Sequence, residues 1–299
     1  MTRDERWLLE EKYGGRRAAA FEEDRRRLAR GEPVAYVIGF QPFLGLSVHL
    51  DSRPLIPRPE TEWWAEELLT SLSPKPEPAH TPASAARSGT VIPAPKGSCA
   101  GIREGEAERG EPLGEPTRPA CARVRAPLSF LDLCAGSGAI GLAALARLPD
   151  ARVYFGESDP AHAATIRKNI RANMLDESRA DVRTGDLFAP FGALRFDVIA
   201  ANPPYVPSGR ALPRSVDDYE PEGAFYAGKD GLAVIERIAA ELPLRLTPRG
   251  AAWIECDRAH ARNARDLFGA QDLAAERRTD QYGKPRVIVC RHTRARSAQ

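Results

Sequence analysis

The stretch Leu131-Asp132-Leu133-Cys134-Ala135-Gly136-Ser137-Gly138-Ala139-Ile140-Gly141 decides the fold. Its apolar start reads as a buried strand, Gly136 and Gly138 as a tight turn, and Ala139 to Arg147 as a helix leaving that turn directly. Such a turn lets a ligand come close to the backbone, and the helix start offers free N–H groups to an anionic group. Around this unit, strands are expected at Ser129–Cys134, Arg152–Glu157, Asp181–Thr184, Phe196–Ala201, Ala251–Glu255 and Arg286–Cys290, with a second helix at Ala161–Asn173. That βαβαβ spacing suits parallel crossovers, so the fold class is α/β with a mostly parallel sheet. Leu273–Arg278 reads as a further strand, which gives a terminal antiparallel pair.

Upstream, a helical stretch breaks at Gly14-Gly15 and resumes over Arg16 to Arg30, with Phe21 and Leu28 on one face, until Gly31 stops it. Residues 1–30 therefore form a small helical cap. Val34 to Leu50 alternates β-branched, aromatic and aliphatic residues around Gly39 and Gly45, which reads as a β-hairpin. The loop Pro54-Leu55-Ile56-Pro57-Arg58-Pro59-Glu60-Thr61-Glu62 follows, with Thr61 expected to cap a helix from near Glu62 to about Leu72. This connector occupies residues 31–72. Residues 73–127 hold ten prolines and six glycines with no Phe, Trp or Tyr, cannot build a core, and read as a disordered insertion. The α/β domain then spans 128–292, and 293–299 reads as a disordered tail.

With 299 residues, 42% hydrophobic and 28% charged, the composition excludes collagen-like and wholly disordered chains. No run approaches the roughly 20 apolar residues of a membrane span, and the N-terminus lacks the apolar core of a signal peptide. No membrane association is expected, and the location is expected to be cytoplasmic. A mitochondrial matrix is the alternative, against which Asp4, Glu5, Glu10 and Glu11 count. A net charge of +2 argues against a dedicated electrostatic nucleic-acid binder, so no direct sequence-specific nucleic-acid binding is expected. Cys99, Cys121, Cys134, Cys256 and Cys290 lack a C-x-x-C pair, and His49, His80, His162 and His292 lack metal-ligand spacing, so neither a disulfide framework nor a metal site is expected. Arg16-Arg17 and Arg25-Arg26-Arg27 read as a solvated helix face, and His260 as a surface residue on a helix. The protein is expected to be a monomer.

Two further features carry chemistry. Glu157 stands 21 residues beyond Gly136 at the carboxyl end of the next strand, where a carboxylate accepts the hydroxyls of a ribose. Together with the turn it implies an adenosine-containing cofactor, and a nicotinamide or flavin enzyme is a rival that the glycines do not exclude. After the fourth strand comes Asn202-Pro203-Pro204-Tyr205. The Asn202 side-chain oxygen and the Pro203 carbonyl can each accept a hydrogen bond from one –NH₂ group, and Tyr205 can stack on a planar substrate. An amide nitrogen is a poor nucleophile because its lone pair is delocalised. Two acceptors gripping its N–H bonds orient it for in-line attack and favour the charge that develops on nitrogen, with no general base required.

Gly136-Ser137-Gly138, Glu157, Asp186 and Asn202-Pro203-Pro204-Tyr205 together resemble the class I, Rossmann-like, S-adenosylmethionine-dependent methyltransferases that modify planar amino groups. Gly31-Glu32-Pro33, Tyr36, Gly39, Phe43-Leu44-Gly45 and Leu55-Ile56-Pro57-Arg58-Pro59-Glu60-Thr61-Glu62 narrow the resemblance to the release factor glutamine methyltransferases, the HemK/PrmC family. The resemblance implies that Cys134, Ala135, Gly136, Ser137 and Gly138 line the methionine part of S-adenosyl-L-methionine and that Glu157 holds its ribose. It also implies that Asp186 meets the adenine amino group, that Leu187 flanks the ring, and that Asn202, Pro203, Pro204 and Tyr205 bind the substrate amide. Glu220-Pro221 and Gly228-Lys229-Asp230-Gly231-Leu232 are similar to later family segments that support the pocket. Departures are Glu157 where the family has Asp, and Asp257 and His260 where it has Gly and Gln in a Glu-x-Gly-x-x-Gln pattern. Only residues 1–30 stand where the family has a longer helical domain, so docking of a protein substrate is expected to be weaker or rearranged.

The implied reaction is methylation of the side-chain amide nitrogen of the Gly-Gly-Gln glutamine in a peptide-chain release factor. One alternative is an adenine amino-group methyltransferase on DNA or RNA, disfavoured by the small net charge and the absence of a target-reading segment. Another is a non-catalytic cofactor-binding translation factor, which has no need of Asn202. The nicotinamide reading lacks a Tyr-x-x-x-Lys and leaves Asn202-Pro203-Pro204-Tyr205 without a task.

Overall fold

Thr2 opens the first helix by accepting the Glu5 N–H while the Glu5 carboxylate accepts the Thr2 N–H, a reciprocal cap on α1 (Arg3–Tyr13). With α2 (Ala19–Ala29) it buries Leu8, Leu9 and Phe21 against Val37. Arg25 and Arg26 of the basic run are exposed, and the charges are paired: Arg25 with Glu5 and Glu22, Arg26 with Glu23, and the partly buried Arg27 with Asp24 and Glu32. The expected hairpin over Val34 to Leu50 needs correction. Val34–Ile38 forms a short helix, α3, ended by Gly39 at φ 102°, and only β1 (Phe40–Phe43) and β2 (Leu46–His49) pair. Over five apolar residues the two periodicities cannot be told apart, and Pro33 at φ −57° presets the helical start. Helix α4 (Pro59–Leu72) begins earlier than expected, on Pro59, behind Arg58. Thr61 thus lies inside its first turn and does not cap it.

The computed structural model describes residues 1–73 and 126–293. The reading of the Pro- and Gly-rich stretch concerns residues that, but for Ser73, Ala126 and Pro127, lie outside the described ones, as do Cys99, Cys121, His80 and the tail beyond Thr293. After that stretch come β3 (Leu128–Leu133), α5 (Ala139–Arg147), β4 (Ala151–Glu157), α6 (Pro160–Ala172), β5 (Ala180–Thr184) and β6 (Phe196–Ala201). The short α7 (Arg214–Asp217) leads to α8 (Ala233–Arg245), β7 (Leu246–Glu255), α9 (Ala261–Gly269), β8 (Leu273–Thr279) and β9 (Pro285–His292). Helices α8 and α9 went unnoticed in the sequence, and β7 starts five residues before the expected Ala251.

The strand order is β5-β4-β3-β6-β7-β9-β8, parallel through β7 and antiparallel at β9 and β8. The order reverses at β3, which has β4 on one side and β6 on the other, and ligands of open α/β sheets bind at such a point beyond the strand carboxyl ends. Strand residues alternate between two cores. Phe130, Val198 and Ala200 face α4, α5 and α6, whereas Leu131, Ile199 and Ala201 face α8 and α9. Burying each of the larger of these side chains, Phe130, Leu131, Val198 and Ile199, contributes roughly 1.5–3 kcal/mol, which fixes the register of the strands and hence of the residues at their ends.

Candidate active site

Leu133 pairs with Gly156 and with Ala201, and Ala201 pairs with Ile254. The next residue on each of the four strands is Glu157, Cys134, Asn202 and Glu255, so register alone lines these four up at the carboxyl edge of the sheet. Cys134 leaves β3 at φ 59°, a left-handed conformation unusual for a side chain larger than glycine, and Gly136 and Gly138 continue the turn at φ 55° and 83°. A cleft of about 510 Å³ opens there, within the usual range of about 300–1,000 Å³ for small-molecule sites.

Of the expected cofactor and substrate residues, Cys134, Ala135, Gly136, Ser137, Glu157, Asp186, Leu187, Asn202 and Pro204 line this cleft. Gly138, Pro203 and Tyr205 are not among its lining residues. Gly138 instead lets α5 approach its neighbours: a Cβ there would sit 3.1 Å from Ile166. Gly141 lies deeper, its N–H donating to Asp132 Oδ2 at 2.8 Å. The other oxygen of Asp132 is buried with no partner among the described residues, and burial pushes its carboxyl well above the ordinary carboxylate range.

Glu157 is buried and held from three directions: Oε2 accepts the Gly136 N–H at 2.7 Å, and Oε1 accepts the Asp159 N–H at 3.0 Å and the Ser158 hydroxyl at 3.2 Å. Asp186 is exposed at the rim, where it pairs with Arg237 of α8. Leu55 and Pro57 close the cleft from the N-terminal side. Their loop is tied down by Tyr36, whose hydroxyl donates to the Pro54 carbonyl at 2.7 Å, and by buried Glu220.

On the far side, Asn202 Nδ2 donates to Thr61 Oγ1 at 3.2 Å, while Asn202 Oδ1 is buried without a partner among the described residues. Thr61 Oγ1 and Trp64 Nε1 both donate to Glu255 Oε2 at 2.7 Å, and the Tyr205 hydroxyl donates to Glu255 Oε1 at 2.9 Å. Sequence reasoning did not single out Glu255 as a site residue. Its legible signals were an acid ending the apolar run Ala251–Glu255, costly to bury unless several donors converge on it, and its place as the first residue of the Glu-x-Gly-x-x-Gln pattern.

His260 also needs correction. It stands at the start of α9 rather than on an exposed face, and its Nε2 lies 3.2 Å from the Tyr205 carbonyl oxygen, which only accepts, so Nε2 carries the proton. Asp257 pairs with Arg210; burial pushes its carboxyl up, but the Ala259 N–H and Arg210 outweigh this and hold it below its ordinary value. The two residues that depart from the Glu-x-Gly-x-x-Gln pattern thus still brace the Asn202–Arg210 segment. Gly231 packs against the same segment, since a Cβ there would fall 2.4 Å from the Tyr205 carbonyl oxygen.

An α/β sheet reversing at β3, a glycine turn between β3 and α5, and an antiparallel β9 wedged between β7 and β8 define the class I methyltransferase fold. The family model "Methyltransferase small domain" matches residues 123–216. A release factor glutamine methyltransferase of Burkholderia pseudomallei is 30% identical over 263 residues, which cover 85% of this chain and 74% of that protein. The chain belongs to the release factor glutamine methyltransferase family, whose cofactor is S-adenosylmethionine. A Geobacter sulfurreducens protein of the same name is 29% identical over 81% of this chain. A ribosomal protein uL3 glutamine methyltransferase of Bradyrhizobium diazoefficiens is 32% identical over 78% of it. The matched regions span 66% and 60% of the lengths of these last two. The residues present fit S-adenosylmethionine: a preformed acceptor at Glu157, backbone exposed at the glycine turn, and apolar Leu55, Ile140, Leu187 and Val234 for a flat ring.

Proposed function

We propose that the protein methylates the side-chain amide nitrogen of a glutamine, that of the Gly-Gly-Gln motif of a peptide-chain release factor. The observation that carries this reading is Asn202 Oδ1, a buried acceptor without a partner among the described residues, on a side chain that lines the cleft. A buried polar atom left unsatisfied costs about 1–3 kcal/mol, and an incoming N–H relieves that cost. The Pro203 carbonyl is the second acceptor for the same –NH₂ group. Together they hold the nitrogen lone pair in line with the methyl carbon and stabilise the positive charge that grows as the new bond forms.

S-adenosylmethionine, when bound, supplies a methyl carbon attached to a positively charged sulfur. Asn202 Oδ1 and the Pro203 carbonyl would hold the amide nitrogen toward that methyl group, whose transfer would leave the electron pair on the cofactor sulfur and release a proton from nitrogen to solvent. In this reading Glu157 takes the ribose hydroxyls. Three of its roughly four lone-pair sites accept the Gly136 and Asp159 N–H groups and the Ser158 hydroxyl, so ribose hydroxyls would use the remaining site and compete with the 3.2 Å Ser158 bond. Asp186, braced by Arg237, meets the adenine amino group, and Leu187 flanks the ring. Cys134 to Gly138 shape the methionine end, and Asn202 to Tyr205 receive the substrate.

The relative named for uL3 supports a second substrate, a glutamine of a ribosomal protein. Among the described residues no helix is long and apolar enough to cross a membrane, and a monomer in the cytoplasm beside the translation machinery fits either substrate. Peptide mass mapping after incubation with S-adenosylmethionine decides between them. One added methyl on the Gly-Gly-Gln glutamine, absent when that glutamine is alanine, supports the release factor reading. Label on uL3 alone, or on added DNA or RNA alone, refutes it. Asn202→Ala should lower transfer at least about 100-fold while leaving cofactor affinity nearly unchanged.

A further inference from the structure

We propose that Glu255, acting through Thr61, locks the polarity of the Asn202 carboxamide, and that this lock makes the site choose an uncharged –NH₂ group over a carboxylate, glutamine over glutamate. The inference rests on the substrate amide reading above and adds two positioning residues to it. Its basis is proton counting. The Glu255 side chain is fully buried in the fold, with 1% of the residue exposed, and as a carboxylate it has no proton to give. Each neighbour must therefore donate to it: Thr61 Oγ1 and Trp64 Nε1 at 2.7 Å, and the Tyr205 hydroxyl at 2.9 Å.

A threonine hydroxyl has one proton, and here Glu255 takes it. The remaining contact of Thr61, 3.2 Å to Asn202, is then one in which Thr61 accepts, so the –NH₂ end of Asn202 must face Thr61. Oδ1 is left on the other side, buried and unpartnered. Turning the carboxamide over would set its oxygen against the lone pairs of Thr61 and present a donor where an acceptor now stands. An incoming glutamine amide gives this acceptor an N–H. An incoming glutamate carboxylate, which only accepts, meets it acceptor to acceptor. The same carboxylate holds the Tyr205 hydroxyl, so both ends of the Asn202–Tyr205 turn are referred to one buried charge, although Thr61 and Glu255 are 194 residues apart.

Thr61→Val keeps the shape of the side chain and removes the hydroxyl; Thr61→Ser keeps the hydroxyl. The full chain is compared in three forms, with a release factor carrying its Gly-Gly-Gln motif or the glutamate variant of it. The lock requires Thr61→Val to lose at least about 10-fold in kcat and about 10-fold in the glutamine-over-glutamate binding ratio. Affinity for S-adenosylhomocysteine should stay within about 2-fold, and Thr61→Ser should restore most of both losses. A valine variant that keeps the wild-type ratio, or a serine variant that fails as the valine one does, overturns the inference. A readout free of substrate is the Asn202 side-chain –NH₂ signal in ¹⁵N-labelled protein: slow to exchange in wild type and Thr61→Ser, fast in Thr61→Val. If wild type methylates no release factor the functional reading fails, and these amide protons alone still uphold or overturn the lock.

Discussion

The Glu220 carboxylate accepts the backbone N–H of Ile56 at 3.0 Å, so a side chain from the far half of the chain fixes the loop that closes the candidate cleft. Its second oxygen pairs with Arg58 at 2.6 Å. Glu220→Ala leaves the Ile56 N–H buried without an acceptor and Arg58 without its partner, a predicted cost of about 2–4 kcal/mol in stability. Leu55 and Pro57 of that loop line the cleft, so affinity for S-adenosylhomocysteine should also fall, by about 10-fold. Calorimetric titration checks this. A lower melting temperature with unchanged affinity would show that the loop can move without opening the cleft.

Asn169 on α6 and Asn173, which caps its C-terminal end one turn later, act together as a strand edge for β2. Asn169 Oδ1 accepts the His49 N–H at 2.8 Å and its Nδ2 donates to the His49 carbonyl at 3.0 Å; Asn173 repeats the pattern on Ser47. Asn169 Nδ2 also donates to the Ser137 carbonyl, within the glycine turn after β3. Asn169→Ala is predicted to cost about 2–3 kcal/mol and to speed hydrogen exchange of the His49 amide at least about 10-fold. Exchange at His49 no faster than in wild type would mean that Asn173 alone docks the hairpin.

Gly141 is a packing glycine. A Cβ on it would fall 2.3 Å from a ring carbon of Phe155, a contact neither helix α5 nor strand β4 can relax without moving. Gly141→Ala should destabilise by about 1–3 kcal/mol through overpacking. Gly141 is not among the cleft residues, so cofactor affinity per folded molecule should not change. Denaturant unfolding and a titration on the same sample separate the two, and a large affinity loss would place Gly141 in the site after all.

The central β3–α5–β4–α6 unit was legible to within a residue or so at each end, because apolar runs, the glycine turn and helical periodicity all agree there; α5 falls on the expected Ala139–Arg147. Short apolar pieces were not. Val34–Ile38 fits either period, and its local proline and glycine decide it. Most residues expected to hold the cofactor line one cleft, and they could be singled out from sequence because they follow one another on a turn or end a strand. The Glu255–Thr61–Asn202 chain was not, since it joins three segments that only the completed sheet brings together. Thr61 carried a conventional signal for a helix cap, and Pro59 took that role away by starting α4 earlier.

Burial pushes the Glu255 carboxyl above its ordinary value of 4.5, and the hydrogen bonds from Trp64, Thr61 and Tyr205 offset this only in part. The sign of the effect on stability follows. A raised folded-state value means that the fold favours the proton, so this contribution is fully present below about pH 4.5 and fades as pH rises through the raised value. Catalysis runs the other way, because only the ionised form accepts all three donors and frees the Asn202 oxygen for substrate. Methyl transfer should therefore show an acid limb displaced upward from the ordinary glutamate value. Glu255→Gln presents the donor–acceptor pattern of the protonated carboxyl, its oxygen on Thr61 and Trp64 and its –NH₂ toward the Tyr205 hydroxyl, so its transfer should stay at the low-pH level of wild type at every pH, without that limb, while it gains stability at neutral pH relative to wild type. Rate profiles of both forms between pH 4 and 8 are the check, and an identical limb in the glutamine variant would assign it to another group.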